Sequence, residues 1–347
     1  INMGNTGNIV LKKVKSISLR TLGTIALPLV VFLAMLIACA ANGITSSFLT
    51  ANTVDRVLKG TCYAALVAMA LSTQILNGRF DFSGGITIML SAYVAGHIAE
   101  PTGSLFLYVI LCILFGLGIS LITATAYRFL KLPIIICSIA LTLVYESFPR
   151  FLFQGNGLQL FSKPEFNIIS ELPLAAVMLL AGVLIYFYFK DLSPFGTKAK
   201  LLSSNQQTSV NIGINENKNL YVTYIVSGLL FGLAAALYGG SNWIQPGEIG
   251  NLSTTSVAFS NIVPVYIGMF IGFLSFGWIG VLAGALTIQI INVGLNIILG
   301  GETTGYFNIV FGVFMILFWT LSAELGNIKK LADNIKAKFS RNKTVES

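Results

Sequence analysis

The chain has 347 residues, 55% hydrophobic and only 10% charged, with a mean hydropathy of +0.82. A soluble domain carries roughly 25% charged residues, so this composition excludes an ordinary water-soluble fold and points to a polytopic membrane protein. The formal charge of +8 could suit nucleic acid, but the basic residues stand in short clusters between apolar runs, as topology determinants do, and no nucleic-acid partner is expected.

A spanning helix needs about 20 largely apolar residues, and ten stretches qualify. The first, 22–41, has a basic start, an apolar run and a small-residue end (Ala38-Cys39-Ala40-Ala41-Asn42) that mimic a signal cleavage site, and Leu36-Ile37-Ala38-Cys39 resembles a lipoprotein box. The apolar run is long for a signal, and nine more hydrophobic segments follow, so an uncleaved helix is expected. The others are 57–76, 82–99, 104–127, 132–153, 172–189, 220–241, 255–275, 278–299 and 306–323. Segments 82–99, 255–275 and 278–299 hold Gly, Pro or polar residues and are candidates for broken or re-entrant helices, tolerated only where protein or water covers them.

Ten spans put both termini on one side. Lys12, Lys13, Lys15 and Arg20, then Arg79, then Arg128 and Lys131 fall on that side, as do Lys190, Lys198, Lys200 and Lys218 and a run from Lys329 to Lys343. Only Arg56, Lys59, Arg150 and Lys163 fall on or near the other, so the shared side is expected to be the cytoplasm. The expected organisation is a cytoplasmic segment 1–21, a membrane domain 22–325 and a basic tail 326–347. The longest outer loop, 154–171, either docks a soluble partner or is simply solvated.

Between the two apolar halves lies one long polar, basic, helix-compatible stretch, 190–219, which is expected to meet something in the cytoplasm. Small residues at four-residue spacing (Gly228/Gly232, Gly268/Gly272, Gly280/Gly284) allow close helix approach, within the chain or at a dimer seam. The four cysteines, Cys39, Cys62, Cys112 and Cys137, lie inside apolar runs without metal spacing and read as packing residues. A single histidine, His97, cannot build a multi-histidine metal site.

No phosphate loop, H-E-x-x-H or G-x-S-x-G motif is present, so no catalytic residue is expected. Intramembrane charge is scarce. Glu146 stands alone in its span, near the outer end, where snorkelling or pairing with Arg150 would account for it; Asp81 stands at a cytoplasmic boundary beside Arg79. An autonomous ion-coupled carrier would show more, so energy for transport is expected from another subunit. The neutral polar residues Gln74, Asn77, Ser83, Ser91, Tyr93, Gln289, Asn292 and Asn296 either bridge helices or line a wet pathway.

Three motifs in order resemble the permease subunits of bacterial ATP-binding-cassette importers of the ribose type, over roughly residues 20–325. Gly78-Arg79-Phe80-Asp81-Phe82-Ser83-Gly84-Gly85 is similar to the family's G-G-x-D-L-S-x-G element, with Gly78, Asp81, Ser83 and Gly85 retained. Gly196, Asn205 and Gly213-Ile214 match the spacing of its cytoplasmic loop, and Asn292-Val293-Gly294-Leu295-Asn296 resembles its N-x-G-L-N. The departures are Arg79 for a second glycine, Thr197 for the usual arginine, Ser203-Ser204 for a glycine pair, and Gly268-Met269-Phe270-Ile271-Gly272 for a richer glycine element.

The resemblance implies an all-α fold of about ten spans with the vitamin-B12-importer (type II) architecture, in a bacterial plasma membrane. It implies that 197–212 forms a coupling helix in a groove of a separate ATPase, which carries the ATP and magnesium; none is expected in this chain. Gly196, Lys198, Lys200, Leu201, Leu202, Asn205, Val210 and Gly213 would form that loop, with Leu201, Leu202 and Val210 as apolar anchors. It further implies an extracytoplasmic solute-binding protein and a second permease subunit, identical or related. Gln74, Gly78, Asp81, Ser83, Gly85, Asn292, Gly294 and Asn296 are then the pathway candidates, for a sugar, or alternatively an amino acid or nucleoside.

Overall fold

A computed structural model describes residues 24–271 and 277–300, with five further positions between 309 and 320. Among these residues the protein is all helical, with a single isolated antiparallel bridge between Leu158 and Ile244. Six helices are both long and apolar enough to cross a membrane, the number found among the described residues.

Helix α1, Thr24–Ala41, is apolar on every side and only 17% of it is buried, so most of its surface is left to lipid. Thr50 opens α2, Ala51–Ile75, by accepting the Thr53 amide at 3.2 Å. The small side chains Ala64, Ala65, Ala68 and Ala70 are fully buried on α2 and let neighbours close in on all sides. After a break comes α3, Gly84–Ala99. Ser104 caps α4, Leu105–Leu130, which ends on Lys131 in the left-handed region (φ 52°) before Pro133 opens the way to α5, Ile134–Phe151.

α6, Leu172–Phe187, runs into a π-turn at Tyr188–Leu192. Two short helices follow, α7 (Pro194–Ser204) and α8 (Gln206–Asn211). Asn215 then caps α9, Glu216–Ser241, and α10 (Ile262–Ile271) and α11 (Gly277–Ile298) complete the described helices.

α9 lies at the centre, 78% buried, against α2, α3 and α4. At its crossing with α4 the backbones touch: a Cβ on Gly116 would lie 2.8 Å from Gly228 O and Gly232 Cα. Gly268 and Gly284 serve the same purpose between α10 and α11, with Val281 N and Pro264 O at 2.7 and 2.9 Å from their Cβ positions. These glycines therefore pack helices within the chain.

Eight of the ten expected windows each fall on a single helix, and six of those helices are the ones long and apolar enough to cross a membrane; 306–323 lies mostly outside the described residues. Of the three segments named as candidates for broken helices, 255–275 is broken, a short turn of helix at Thr255–Phe259 preceding α10, whereas α3 and α11 are continuous. Segment 197–212 needs correction: it is two helices, because Asn205 is extended (φ −157°) and starts a new one by accepting the Thr208 amide at 3.0 Å. Loop 154–171 is more than a solvated connection, since its own Leu158, Leu160, Phe166 and Ile169 are buried and Leu158 bonds Ile244 in both directions at 2.9 and 3.0 Å.

The chain divides into two units, Ile1–Val293 and Gly294–Ser347. In the second, residues 294–298 are helical and Thr320 Oγ1 donates to Ile316 O at 2.7 Å.

Candidate coupling surface and polar centre

The polar centre forms where α2 stops. Gly78 takes φ +70°, and the amides of Gly78 and Arg79 fold back on Ile75 O and Gln74 O at 2.9 and 3.0 Å, a left-handed helix ending. Asp81 Oδ1 then accepts the Ser83 amide at 2.7 Å, which turns the chain into α3 and places a carboxylate at the positive end of that helix. Gln74 Nε2 donates to Asp81 Oδ2 and Ser227 Oγ, both at 3.3 Å. Asn77 donates to Thr223 Oγ1 at 2.7 Å and accepts from Asn219 Nδ2 at 2.8 Å. Gln74 and Asn77 are thus bridges between α2 and α9, with their polar atoms buried among protein.

The adjoining glycines are required by contact. A Cβ on Gly84 would come 2.8 Å from the Phe231 ring, and one on Gly85 would overlap the Thr254 carbonyl. The segment that presses on Gly85 is anchored by Glu146. One carboxylate oxygen accepts the Thr254 amide (3.0 Å) and hydroxyl (2.7 Å), and the other accepts the Leu252 amide at 2.9 Å. Asn251 and Leu252 hold left-handed backbone (φ 55° and 64°) to present those donors, a conformation that costs on the order of 1 kcal/mol or more per residue. Glu146 is 2% exposed, so it neither snorkels nor pairs with Arg150, whose Nη2 donates to Ile249 O at 3.0 Å. Its three donors come from residues more than a hundred positions away, which local spacing cannot reveal.

Phe80 and Phe82 flank Asp81 and meet Phe259 with ring centroids 5.4 and 4.8 Å away. All three are half-buried, forming an aromatic face beside the break. The alternation Phe-Asp-Phe was the available signal for it. Tyr93 donates to Asn156 O at 2.8 Å, tying α3 to the outer loop. Gln289, on α11, packs against α2, its Oε1 2.6 Å from where a Gly60 Cβ would stand. Asn292, Gly294 and Asn296 lie along the last turns of α11, with Asn292 half-buried and Asn296 exposed.

At the end of the helices that carries Lys190 and Lys218, α7 and α8 form an exposed knob. Ser193 caps α7, and Gly196 is needed because a Cβ there would lie 2.5 Å from Lys190 O. Ala199 and Leu202 turn inward and are buried, while Lys198, Lys200 and Leu201 face out. Leu202 is therefore not an available anchor: on a 3.6-residue period it shares the Ala199 face. Ile212, 66% exposed, stands open, as do Leu201 and Val210 at 44% and 45%. Gly213 turns at φ +90° to close the knob. The four cysteines are buried, with free thiols. No group of three metal-ligating side chains occurs among the described residues.

Long apolar helices, a break between α2 and α3 at a buried polar centre, and an exposed basic knob describe a polytopic membrane protein. Residues 53–319 match the family described as the permease component of the branched-chain amino acid transport system, and the chain belongs to that family. It resembles the fructose import permease protein FrcC of Rhizobium meliloti, 24% identical over 314 residues, covering 84% of this chain and 83% of that one. The ribose import permease protein RbsC of Bacillus subtilis is 25% identical over 288 residues (78% and 84%). The D-allose transport system permease protein AlsC of Escherichia coli is 23% identical over 275 residues (77% and 82%). No solved structure matches. The protein is a multi-pass permease of the bacterial plasma membrane.

Proposed function

We propose that this chain is the membrane-spanning subunit of an ATP-driven importer for a sugar or related small polar solute. The observation that carries the reading is the likeness, over most of both lengths, to permeases that import fructose, ribose and allose. In this reading the chain crosses the membrane ten times with the type II arrangement, and residues 1–21, the α7–α8 knob and 326–347 are cytoplasmic. The knob seats in a groove of a separate ATPase, which holds ATP and magnesium. Lys198 and Lys200 meet acidic groups there, and Leu201, Val210 and Ile212 supply apolar contact. A solute-binding protein docks on the opposite face, and a second permease subunit, identical or related, completes the pathway, for which Asp81, Ser83 and Gly85 of the polar centre are candidates. Nucleotide binding then selects between two packings of the permease pair.

Affinity purification from the native membrane with mass spectrometry tests the assembly: an ATPase and a solute-binding protein should co-elute, and the intact mass distinguishes a homodimer from a heterodimer. Lys198→Glu with Lys200→Glu should abolish ATPase co-elution and solute uptake; uptake at the wild-type rate would instead indicate an autonomous carrier. The family's description favours one second reading, import of an amino acid. Competition of labelled ribose uptake by unlabelled sugars, but not by leucine or valine, decides against it.

A further inference from the structure

The position where the resembling motif has a second glycine is Arg79, and the functional reading gives it no task. Its guanidinium is 5% exposed. Nη2 donates to Glu216 Oε1 at 3.2 Å, and the plane stands 5.7 Å from the Tyr127 ring centroid. Nε and Nη1 are buried and have no hydrogen-bond partner among the described residues, so a group with five donors uses few of them in this packing. Unsatisfied buried donors of a charged group are costly, and the arrangement is retained beside a cavity of about 180 Å³ lined by Asn77, Tyr127, Ser203 and Glu216. There is room here for a second arrangement in which Glu216 meets the guanidinium with both oxygens.

The same junction holds the coupling knob. Glu216 Oε1 also accepts Gln206 Nε2 at 2.7 Å, so one carboxylate oxygen joins α8 to Arg79. A Cβ on Gly78 would lie 3.2 Å from Ser203 Cα, so the end of α7 rests on the turn that closes α2. Two residues beyond Arg79, Asp81 starts α3. Displacement of α7 and α8 therefore has a short physical route to the break in the polar centre.

We propose that Arg79 is a positioning residue that, through Glu216, conveys movement of the α7–α8 knob to the α2–α3 break and so sets how tightly ATP hydrolysis is tied to solute movement. The proposal rests on the importer reading above. The test uses the complete transporter in lipid vesicles, following solute uptake and ATP hydrolysis together, for Arg79→Gln, Glu216→Gln and the exchanged pair Arg79→Glu with Glu216→Arg. The single variants should co-purify with the ATPase and hydrolyse ATP at near the wild-type rate, while solute moved per ATP falls about five- to tenfold. The exchanged pair should recover the ratio to within about twofold. A wild-type ratio in Glu216→Gln overturns the proposal, as does an exchanged pair no better than the singles. If Arg79→Gln does not assemble, Glu216→Gln, on a partly exposed side chain, carries the decision alone. A wild-type chain that purifies without an ATPase overturns the importer reading and this proposal with it, whereas an unchanged ratio leaves that reading standing.

Discussion

At the scale of single residues, the glycines of the α2–α3 element are fixed by contact more than by chain freedom. Gly85 has ordinary helical backbone, yet the Thr254 carbonyl occupies the space a side chain would need. Gly118 on α4 has nothing within 4 Å of its Cβ position. Gly85→Ala should therefore lower the midpoint of thermal aggregation in mild detergent by an amount corresponding to about 1–3 kcal/mol, whereas Gly118→Ala, in open space in mid-helix, should hold or slightly raise it. Equal midpoints for the two variants would mean that the 254–259 segment yields easily and that Glu146 does not hold it in place. The carboxylate at Glu146 is the counterpart of that contact: it satisfies two backbone amides and a hydroxyl that would otherwise be buried without acceptors.

At the scale of elements, the break at Asn205 separates α7 from α8 and gives the knob two faces. Asn205 supplies the acceptor that opens α8, a helix of six residues with little else to stabilise it. Asn205→Ala should cost α8 about 1 kcal/mol, seen as faster hydrogen exchange at residues 206–211 and weaker ATPase co-elution, with the flanking helices α7 and α9 unaffected. Unchanged exchange would show that packing, and not the cap, forms α8. Much of the element pattern was legible in the sequence, because a membrane enforces about 20 apolar residues per span and marks the intervals with lysine and arginine. The interruption at 205 was less so: Asn is a capping residue, but the surrounding polar residues are compatible with an unbroken helix. The pairs Glu146 with Thr254 and Arg79 with Glu216 join positions over a hundred apart in the chain. Neither hydropathy nor spacing carries information about such pairs, so Glu146 read as a peripheral charge and Arg79 as a topology marker. The inward turn of Leu202 was available from its spacing to Ala199.

At the scale of the whole molecule, burial divides the helices into a centre and a periphery. α9 is 78% buried and α1 17%, although both are long and apolar. Hydropathy alone cannot separate them, since lipid and protein interior are equally dry; small residues and buried amides distinguish α9. Gly232→Leu, which would press on Ile113 Cα 2.6 Å from the Cβ position, should abolish a monodisperse peak in size-exclusion chromatography. Val30→Leu, on the open face of α1, should be indistinguishable from the parent. A folded Gly232→Leu protein would show that α4 can move away from α9 without loss of the fold. The cysteines follow the same division and have a practical outcome. Cys39, Cys62, Cys112 and Cys137 are at most 5% exposed, whereas Ser204 lies open on the knob. A water-soluble maleimide should thus leave the natural thiols unmodified and label a single Ser204→Cys, so fluorophores or spin labels can follow the knob through a transport cycle without first removing any native cysteine.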